Sequence, residues 1–436
     1  RLPLSRLLRL SLFQISVGMA LVLLVGTLNR VMIVELAVPA TLVAGMISLP
    51  LVFAPFRALI GFRSDNHRSA LGWRRVPYIW KGTLLQFGGF AIMPFALLVL
   101  SGYQQAADAP PWIGLSSAAL AFLLVGAGAH MVQTVGLALA TDLTAPEDQP
   151  KVVGLMYVML LVGMGLSAII FGALLEDYTP GKLIRVVQGA AVATVVLNVV
   201  AIWKQEARDR QRAAAGPQEE DFSSAWRAFI RLDNAPRRLV TIALGTMGFG
   251  MVDVLLEPFG GQVLGLSVAN TTKLTAAFAC GGLMGFAVAS RVLSSAYDPM
   301  RLAAFGLLVG LPAFALIMGS APLNLAALMV IGTIILGFGG GLFGHGTLTA
   351  TMRAAPREQI GLALGAWGAA QATSAGIAIA AGGMIRDLLV FSGVGGTASP
   401  YLAVFALEVI FLCAALLAIS PLVIRPVSQS TSTSYR

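Results

Sequence analysis

Long apolar runs alternate along the chain with short polar segments. An α-helix needs about 20 apolar residues to cross the ~30 Å hydrocarbon core of a membrane, so the pattern predicts twelve membrane-spanning helices. The even number places both chain termini on the same side of the membrane. The predicted spans are 11–34, 40–62, 77–101, 113–141, 152–176, 183–203, 238–263, 268–292, 301–320, 323–350, 360–388 and 401–424.

The positions of Lys and Arg predict how the spans are oriented. All but six of the 29 basic residues fall in the terminal tails, or in and beside the loops that follow even-numbered spans. Such residues are retained on the cytoplasmic side, so both termini and segment 61–81 are predicted to be cytoplasmic. Among the exceptions, Arg57 is predicted to reach the membrane interface with its long side chain. The six are Arg30, Arg57, Lys182, Arg185, Lys273 and Arg386.

The longest polar segment, 204–237, divides the spans into two groups of six. It separates an N-terminal bundle at 1–203 from a C-terminal bundle at 238–424, and residues 425–436 form a tail. Apolar residues recur at helical spacing late in this linker, which predicts a short amphipathic helix on the inner membrane surface. These residues are Phe222, Trp226, Phe229 and Ile230.

The two groups of spans share sequence features. An offset of 210 residues pairs 140–141 with 350–351, and an offset of 222 aligns 26–35 with 248–257. Equivalent matches in both halves indicate an internal duplication. Twelve spans arranged as six plus six predict an all-α membrane protein with the fold of the major facilitator superfamily, in which a cavity lies between the halves.

Composition narrows the class of protein further. The chain is 57% apolar and 11% charged, with a mean hydropathy of +0.83, whereas a soluble domain carries about 25% charged residues. Basic cytoplasmic loops explain the net charge of +9, so no nucleic-acid partner is expected. Cys280 and Cys413 lie in apolar runs, and no nucleotide loop, zinc spacing or nucleophile motif occurs. Neither a metal site nor an enzyme is therefore expected.

The basic segment 61–81 contains a candidate lock for helix ends. Asp65 follows Gly61 by four residues, and Arg74 and Arg75 come further on. An Asp at a helix end that faces an Arg pair can hold a closed arrangement through charge-assisted hydrogen bonds. The alternative is a basic loop that only sets the orientation. We favour the lock, without a catalytic role.

Two histidines lie in apolar, glycine-rich segments and are candidate pigment ligands. His130 follows Gly126-Ala-Gly-Ala, and His345 lies between Gly344 and Gly346. A neutral imidazole can ligate the magnesium of a chlorin, and small neighbouring residues leave room for a flat macrocycle. The alternative is that the glycines serve helix packing while the histidines bond to neighbouring helices. The residues by themselves favour this alternative.

Four charged residues are predicted near the outer ends of the first and seventh spans. Arg30 and Glu35 are repeat-related to the stretch that holds Asp253 and Glu257. At 1.5 Å per residue they lie about 25–35 Å from the cytoplasmic start of their helices. A charged rim, a gate and a ligand site all remain open. The central thirds of the spans contain almost no charged residues, which favours a lipophilic cargo or a scaffold over an ionic solute.

Three segments carry a resemblance to a known family. They read RLSLFQISVGMALVLLVGTLNRVMIVEL at 9–36, RALIGFRSDNHRSALGWRRVPYIWKGTLLQFGGFAIMPFALLVLSG at 57–102 and ATDLTAPEDQPKVVGLMYVMLLVGMG at 140–165. Together they closely resemble the PucC/LhaA family of purple phototrophic bacteria, also called the bacteriochlorophyll delivery family. The resemblance covers essentially the whole chain and implies a major facilitator-like fold.

The resemblance implies an assembly factor for light-harvesting complexes in the bacterial inner (intracytoplasmic) membrane. Such a protein handles bacteriochlorophyll a between bacteriochlorophyll synthase and the nascent antenna α and β polypeptides. Carotenoid is a further candidate pigment, and the reaction-centre core complex and membrane lipids are further candidate partners. LhaA members serve the core light-harvesting 1 antenna and PucC members the peripheral light-harvesting 2 antenna. The core antenna is the preferred client here.

Two other functions remain compatible with the sequence. One is a major facilitator-type transporter of a lipophilic small molecule, and the other is a structural subunit of a photosynthetic complex. With the resemblance included, pigment ligation by His130 or His345 and simple helix packing are equally weighted interpretations.

Overall fold

The computed structural model describes residues 3–52, 71–145, 148–208, 222–293, 297–354 and 360–424, together with residues 54, 55, 57, 60, 64 and 67. Within this part of the chain, eleven helices are long and apolar enough to cross a membrane, and a shorter apolar helix covers Ala40–Leu51. They account for the twelve predicted spans.

The spanning helices are numbered α1 to α12 in chain order, and a further helix lies in the linker. Their bounds are α1 Leu4–Glu35, α2 Ala40–Val52, α3 Val76–Ser101, α4 Pro111–Asp142, α5 Gln149–Leu174, α6 Pro180–Ile202, the linker helix Phe222–Ile230, α7 Ala235–Gln262, α8 Val268–Leu293, α9 Pro299–Leu323, α10 Ala326–Ala354, α11 Ile360–Phe391 and α12 Ser399–Ile424. We call the end of the bundle that carries Leu4 and Ile424 the inner end, and the opposite end the outer end.

Glycines allow very close helix packing inside each half. In the N-terminal half, Gly82 of α3 lies against Gly128 of α4, and a Cβ on Gly128 would be 2.5 Å from the Gly82 carbonyl oxygen. In the C-terminal half, Gly281 of α8 lies against the backbone of α10 in the same way. Lipid is as apolar as the side chains, so helices in membranes associate through such close packing rather than through the hydrophobic effect.

Two helices are irregular at repeat-related places. The irregular stretches are the π-helical turns Val22–Leu28 and Val31–Glu35 in α1, and the join at Met251 between Ala235–Gly250 and Val252–Gln262 in α7. The 222-residue offset pairs Asn29 with Met251. The Asn29 side-chain amide donates to the Val254 carbonyl oxygen at 2.7 Å, so the two irregular stretches are in contact. Such irregular turns occur frequently at functional sites.

The two six-helix halves meet mainly through α2 with α11 and α5 with α8. Direct hydrogen bonds join the halves towards the outer end. The hydroxyls of Thr27 and Thr272 are 3.3 Å apart, and the backbone N–H of Thr41 donates to the carboxylate of Asp387. A carboxylate at the first turn of α2 is also favoured by the helix dipole. The outer ends of the halves are therefore held together.

The linker helix packs one face against the C-terminal half. Phe229 is buried beside Ala366 of α11, and Leu239 of α7 completes this small cluster. Phe222 lies on the exposed side of the same helix, where it stacks on Trp226. The exposed aromatic side agrees with the predicted amphipathic character.

Candidate functional site

A polar cluster around Arg57, which follows α2 in the chain, joins α1 and α4 inside the N-terminal half. Arg57 donates from Nε to Thr134 Oγ1 and from an Nη atom to Gln133 Oε1, both at 2.8 Å. The Gln133 amide in turn donates to Gln14 Oε1 at 3.3 Å. The prediction that Arg57 reaches the membrane interface is wrong, because these partners hold its guanidinium inside the bundle. Buried arginines need such hydrogen-bond partners.

His130 lies on the same face of α4 as this cluster. It precedes Thr134 by four residues, which is one helical turn. The charge of Arg57 acts on both His130 and Tyr157 of α5. Protein surrounds all three side chains, yet each keeps accessible surface. We infer that they line a space inside the bundle. Within the described residues no side chain or backbone group forms a hydrogen bond with the His130 ring. Its nitrogens are therefore free to bind a ligand.

In the C-terminal half, the positions of α10 that are equivalent to His130 and Thr134 of α4 form an apolar wall without side chains. The 210-residue offset pairs His130 with Gly340 and Thr134 with Gly344. A Cβ on Gly344 would meet no other described atom within 4 Å, and one on Gly340 would meet only the Phe249 ring, at 3.9 Å. The two halves therefore present different chemistry to the space between them. One wall offers hydrogen-bonding groups, and the other offers an open apolar surface.

His345 lies in a different environment from His130. Its Nε2 is 3.2 Å from Ser290 Oγ, its Nδ1 is 3.1 Å from Thr349 Oγ1, and the Phe286 ring is 5.2 Å from its own. Both ring nitrogens are thus engaged, and the side chain links α10 to α8. This geometry matches the helix-packing alternative, so of the two candidates only His130 has a nitrogen available.

The inner end of the N-terminal half contains a charged clasp. Arg74 and Arg75 both contact Asp142 at the end of α4, at 2.7 and 2.9 Å. Arg75 also donates to Ser64 Oγ at 2.6 Å. Asp65, the predicted acidic partner, lies outside the described residues. The Arg pair therefore ties α3 to α4 within one half, through an acid that the sequence analysis did not select.

A second acid caps the start of α3. The backbone N–H groups of Arg74, Arg75 and Val76 donate to the Glu206 carboxylate at 2.8–3.0 Å. These amides have no partner inside the helix, and a carboxylate there also complements the helix dipole. Its neighbour Gln205 accepts from Arg6 at 3.0 Å, which adds α1. The clasp thus joins the inner ends of α1, α3, α4 and α6.

The charged residues near the outer end lie between the halves. Arg30 is only 3% exposed and forms an ion pair with Glu35. Glu257 is also 3% exposed, and it accepts a hydrogen bond from Thr275 Oγ1 at 2.8 Å. Burial, reinforced by the Glu35 carboxylate, raises the pKa of Tyr178 in the α5–α6 loop to about 12. Arg30 and Glu257 are buried, which does not fit a solvent-exposed rim. A gate and a ligand site remain as interpretations of these charged residues.

A buried acid at the break in α7 was missed by the sequence analysis. Glu408 of α12 is completely buried, and its Oε1 accepts from the Val252 backbone N–H at 2.7 Å. Its Oε2 has no hydrogen-bond partner among the described residues. Asp253, next to Val252, keeps accessible surface although protein surrounds it. A single Glu inside a long apolar run is itself a functional signal in a membrane helix, and it could have identified this residue.

Comparison with known proteins supports both the fold and the family. The family described as "PUCC protein" matches residues 27–427. Protein PucC of Rhodovulum sulfidophilum is 71% identical over 389 residues, which cover 88% of this chain and 86% of that protein. Protein PucC of Cereibacter sphaeroides is 61% identical over 426 residues, which cover 97% and 93%.

A solved structure extends the likeness to the fold. The inward-facing structure of a bacterial homologue of the iron transporter ferroportin superimposes with a TM-score of 0.69 and 14% identity, covering 98% of this chain and 100% of that one. At this identity the likeness concerns the fold alone, and it confirms the predicted twelve-helix major facilitator architecture. From the family match and the two relatives, the chain belongs to the PucC protein family.

Proposed function

We propose that the chain is an assembly factor for bacterial light-harvesting antenna complexes. It binds bacteriochlorophyll a between its two halves and delivers it to nascent antenna α and β polypeptides. It lies in the inner membrane with both termini in the cytoplasm, as the distribution of basic residues predicts. Bacteriochlorophyll synthase is the proposed source of the pigment.

The available imidazole of His130 is the observation that carries this proposal. Its nitrogens have no hydrogen-bond partner among the described residues, and the side chain keeps accessible surface inside the bundle. A neutral imidazole nitrogen is a suitable ligand for the magnesium of a chlorin. Arg57 stands beside it and offers guanidinium N–H donors to carbonyl oxygens of the pigment.

The shape of the two walls supports the same cargo. A bacteriochlorophyll is flat and largely apolar, with carbonyl groups at its edge. The open backbone at Gly340 and Gly344 provides a smooth apolar surface for such a ring. The polar cluster of Arg57, Gln133 and Gln14 provides hydrogen-bonding groups on the other side. A carotenoid has no metal centre that His130 could ligate, so we assign the space to bacteriochlorophyll.

The relatives favour the peripheral light-harvesting 2 antenna as client. The two relatives with 71% and 61% identity are both named PucC, and PucC members of the family serve that antenna. The preference for the core antenna, taken from the sequence, is not confirmed. Deletion of the gene should therefore lower the peripheral antenna absorbance of membranes more than that of the core antenna.

Replacing His130 by phenylalanine tests the pigment site directly. We expect H130F to contain on the order of tenfold less bacteriochlorophyll per protein than the wild type, because the magnesium loses its ligand. H345F is the matched control and is expected to keep its pigment, since both nitrogens of His345 already bond to hydroxyls. Pigment is measured by absorbance of extracts from gently solubilised, purified protein. Equal pigment in H130F and the wild type would exclude His130 as ligand.

Transport of a lipophilic small molecule is a second candidate, favoured by the broken helix α7 beside the buried Glu408. Discontinuous helices commonly form binding sites in transporters. The substitution Asp253→Cys, made after Cys280 and Cys413 are changed to serine, reports access to the internal space. Accessibility that switches from one side of sealed vesicles to the other during turnover would favour transport. Constant one-sided access, with pigment still delivered to antenna polypeptides, would favour the assembly factor.

A further inference from the structure

A long groove lies on the outside of the N-terminal half, between α1, α5 and α6. It encloses about 640 Å³. Its walls are apolar, and Leu166, Ile170 and Leu174 of α5 are each at least 50% exposed. The helix α6 packs on other helices of the N-terminal half, so the groove lies at the periphery of the bundle. In a membrane such a surface is in contact with lipid. Small residues of α6, namely Gly189, Ala190 and Ala193, form its floor and make it deep enough for a bound chain.

Two positive charges stand at the outer mouth of this groove. Lys182 and Arg185 lie in the first turns of α6, and both line the groove. Lys182 donates one hydrogen bond to the Glu176 carbonyl oxygen, and none of the described acidic side chains forms an ion pair with it. Arg185 has no ion pair within the described part of the chain. Both residues belong to the six basic residues that the loop pattern leaves unexplained.

The other three arginines that the loop pattern leaves unexplained do have partners within the protein. Arg30 pairs with Glu35, Arg386 pairs with Asp387, and Arg57 bonds to Gln133. Their charges therefore serve contacts inside the protein. Among the described residues the charges at the groove mouth have no such partner, and the positive end of the α6 dipole adds to them. A ligand with a negative group at this level would complement them.

The length of the groove matches one membrane leaflet. From Lys182 to Leu197 the groove follows α6 for about 22 Å, at 1.5 Å per residue. Half of the hydrocarbon core is about 15 Å thick, and a headgroup adds several ångströms. A molecule that fits must therefore carry an anionic group at one end and a hydrocarbon chain as long as the leaflet is thick.

We propose that this groove is a binding site for one anionic phospholipid of the outer leaflet. The phosphate lies between Lys182 and Arg185, and an acyl chain follows α6 past Gly189 towards Leu197. A transmembrane peptide helix without an acidic residue at this level would fill the apolar part but would leave both charges unpaired. The proposal is independent of the pigment site, because no residue that lines the groove belongs to the polar cluster around Arg57 and His130.

Native mass spectrometry of the purified full chain tests the site. The protein is exchanged into equal amounts of phosphatidylglycerol and phosphatidylcholine, and the retained lipid is counted. The wild type is expected to retain phosphatidylglycerol in preference. K182Q/R185Q is expected to lose on the order of tenfold in this preference, because each basic residue near a membrane surface adds attraction to anionic lipid. The control K151Q/R301Q removes the same charge from exposed positions at the inner end and is expected to behave as the wild type.

A second variant tests the apolar part of the groove. Gly189→Trp fills the groove from a position where a Cβ meets no other described atom within 4 Å, so the fold should tolerate it. It is expected to lower retention of both lipids without changing the thermal unfolding midpoint. An unchanged phosphatidylglycerol preference in K182Q/R185Q would overturn the proposal. So would full lipid retention in G189W, because the chain would then lie elsewhere.

Discussion

Replacing Glu408 by alanine is expected to destabilise the protein by about 3 kcal/mol. Glu408 accepts the backbone N–H of Val252, where α7 restarts after its break at Met251. Without the carboxyl group this N–H has no acceptor inside the membrane, where water cannot replace it. The alanine also leaves a cavity at a completely buried position. Both effects lower the thermal unfolding midpoint of the purified protein.

Glutamine at the same position is the matched control. Glu408→Gln keeps an acceptor oxygen and nearly the same volume, so we expect it to cost less than about 1 kcal/mol. The comparison separates the hydrogen bond from the ionisable group. Thermal unfolding followed by size-exclusion chromatography measures both variants. Equal midpoints for E408A and E408Q would show that the bond to Val252 contributes little.

Replacing Gly281 by leucine is expected to have the second large effect. A Cβ at this position would lie 1.9 Å from the Ile334 carbonyl oxygen, and one on Gly337 would lie 2.1 Å from the Phe278 carbonyl oxygen. Two backbones in such contact cannot admit any side chain, so α8 and α10 must separate. Overpacking of a tight core destabilises the folded state by about 1–3 kcal/mol. A clash with backbone is expected to cost at least the upper value. G281L should therefore yield little folded protein.

Gly88→Leu is the control for this prediction. Gly88 occupies a similar place, near the middle of α3, but a Cβ there would meet no other described atom within 4 Å. The two substitutions add the same side chain and remove the same flexible residue. We expect G88L to express and unfold like the wild type. Similar yields of G281L and G88L would mean that the helices adjust easily at the Gly281 contact.

The two histidines show that their bonding partners could not be predicted from the sequence alone. His130 and His345 both lie in apolar helices among glycines, so sequence pattern treats them alike. They differ only in their partners. Ser290 and Thr349 bond to His345, and Ser290 comes from another helix 55 residues away in sequence. No local pattern encodes which face of α8 meets α10, so the distinction required the packed structure.

Three acidic residues show the same limit of prediction from sequence. Asp142, Glu206 and Glu408 were not selected from the sequence, although each holds a helix end or a helix break. Glu408 could have been noticed as a lone acid in an apolar run. Its role could not, because the Val252 N–H that it accepts lies 156 residues away in sequence. Arg57 was predicted to reach the interface for the same reason, since Gln133 was not visible as its partner.

The twelve spans, their division into two groups of six and the family could all be predicted from the sequence. These properties follow from the length of apolar runs, the spacing of basic loops and residues that recur along the chain, all of which are local or periodic. Which polar groups meet inside the membrane became visible only in the folded protein. Hydrogen bonds and ion pairs there depend on helix rotation and contact to within about an ångström. That rotation is set by packing across helices, as in the approach of Gly281 to the backbone of α10.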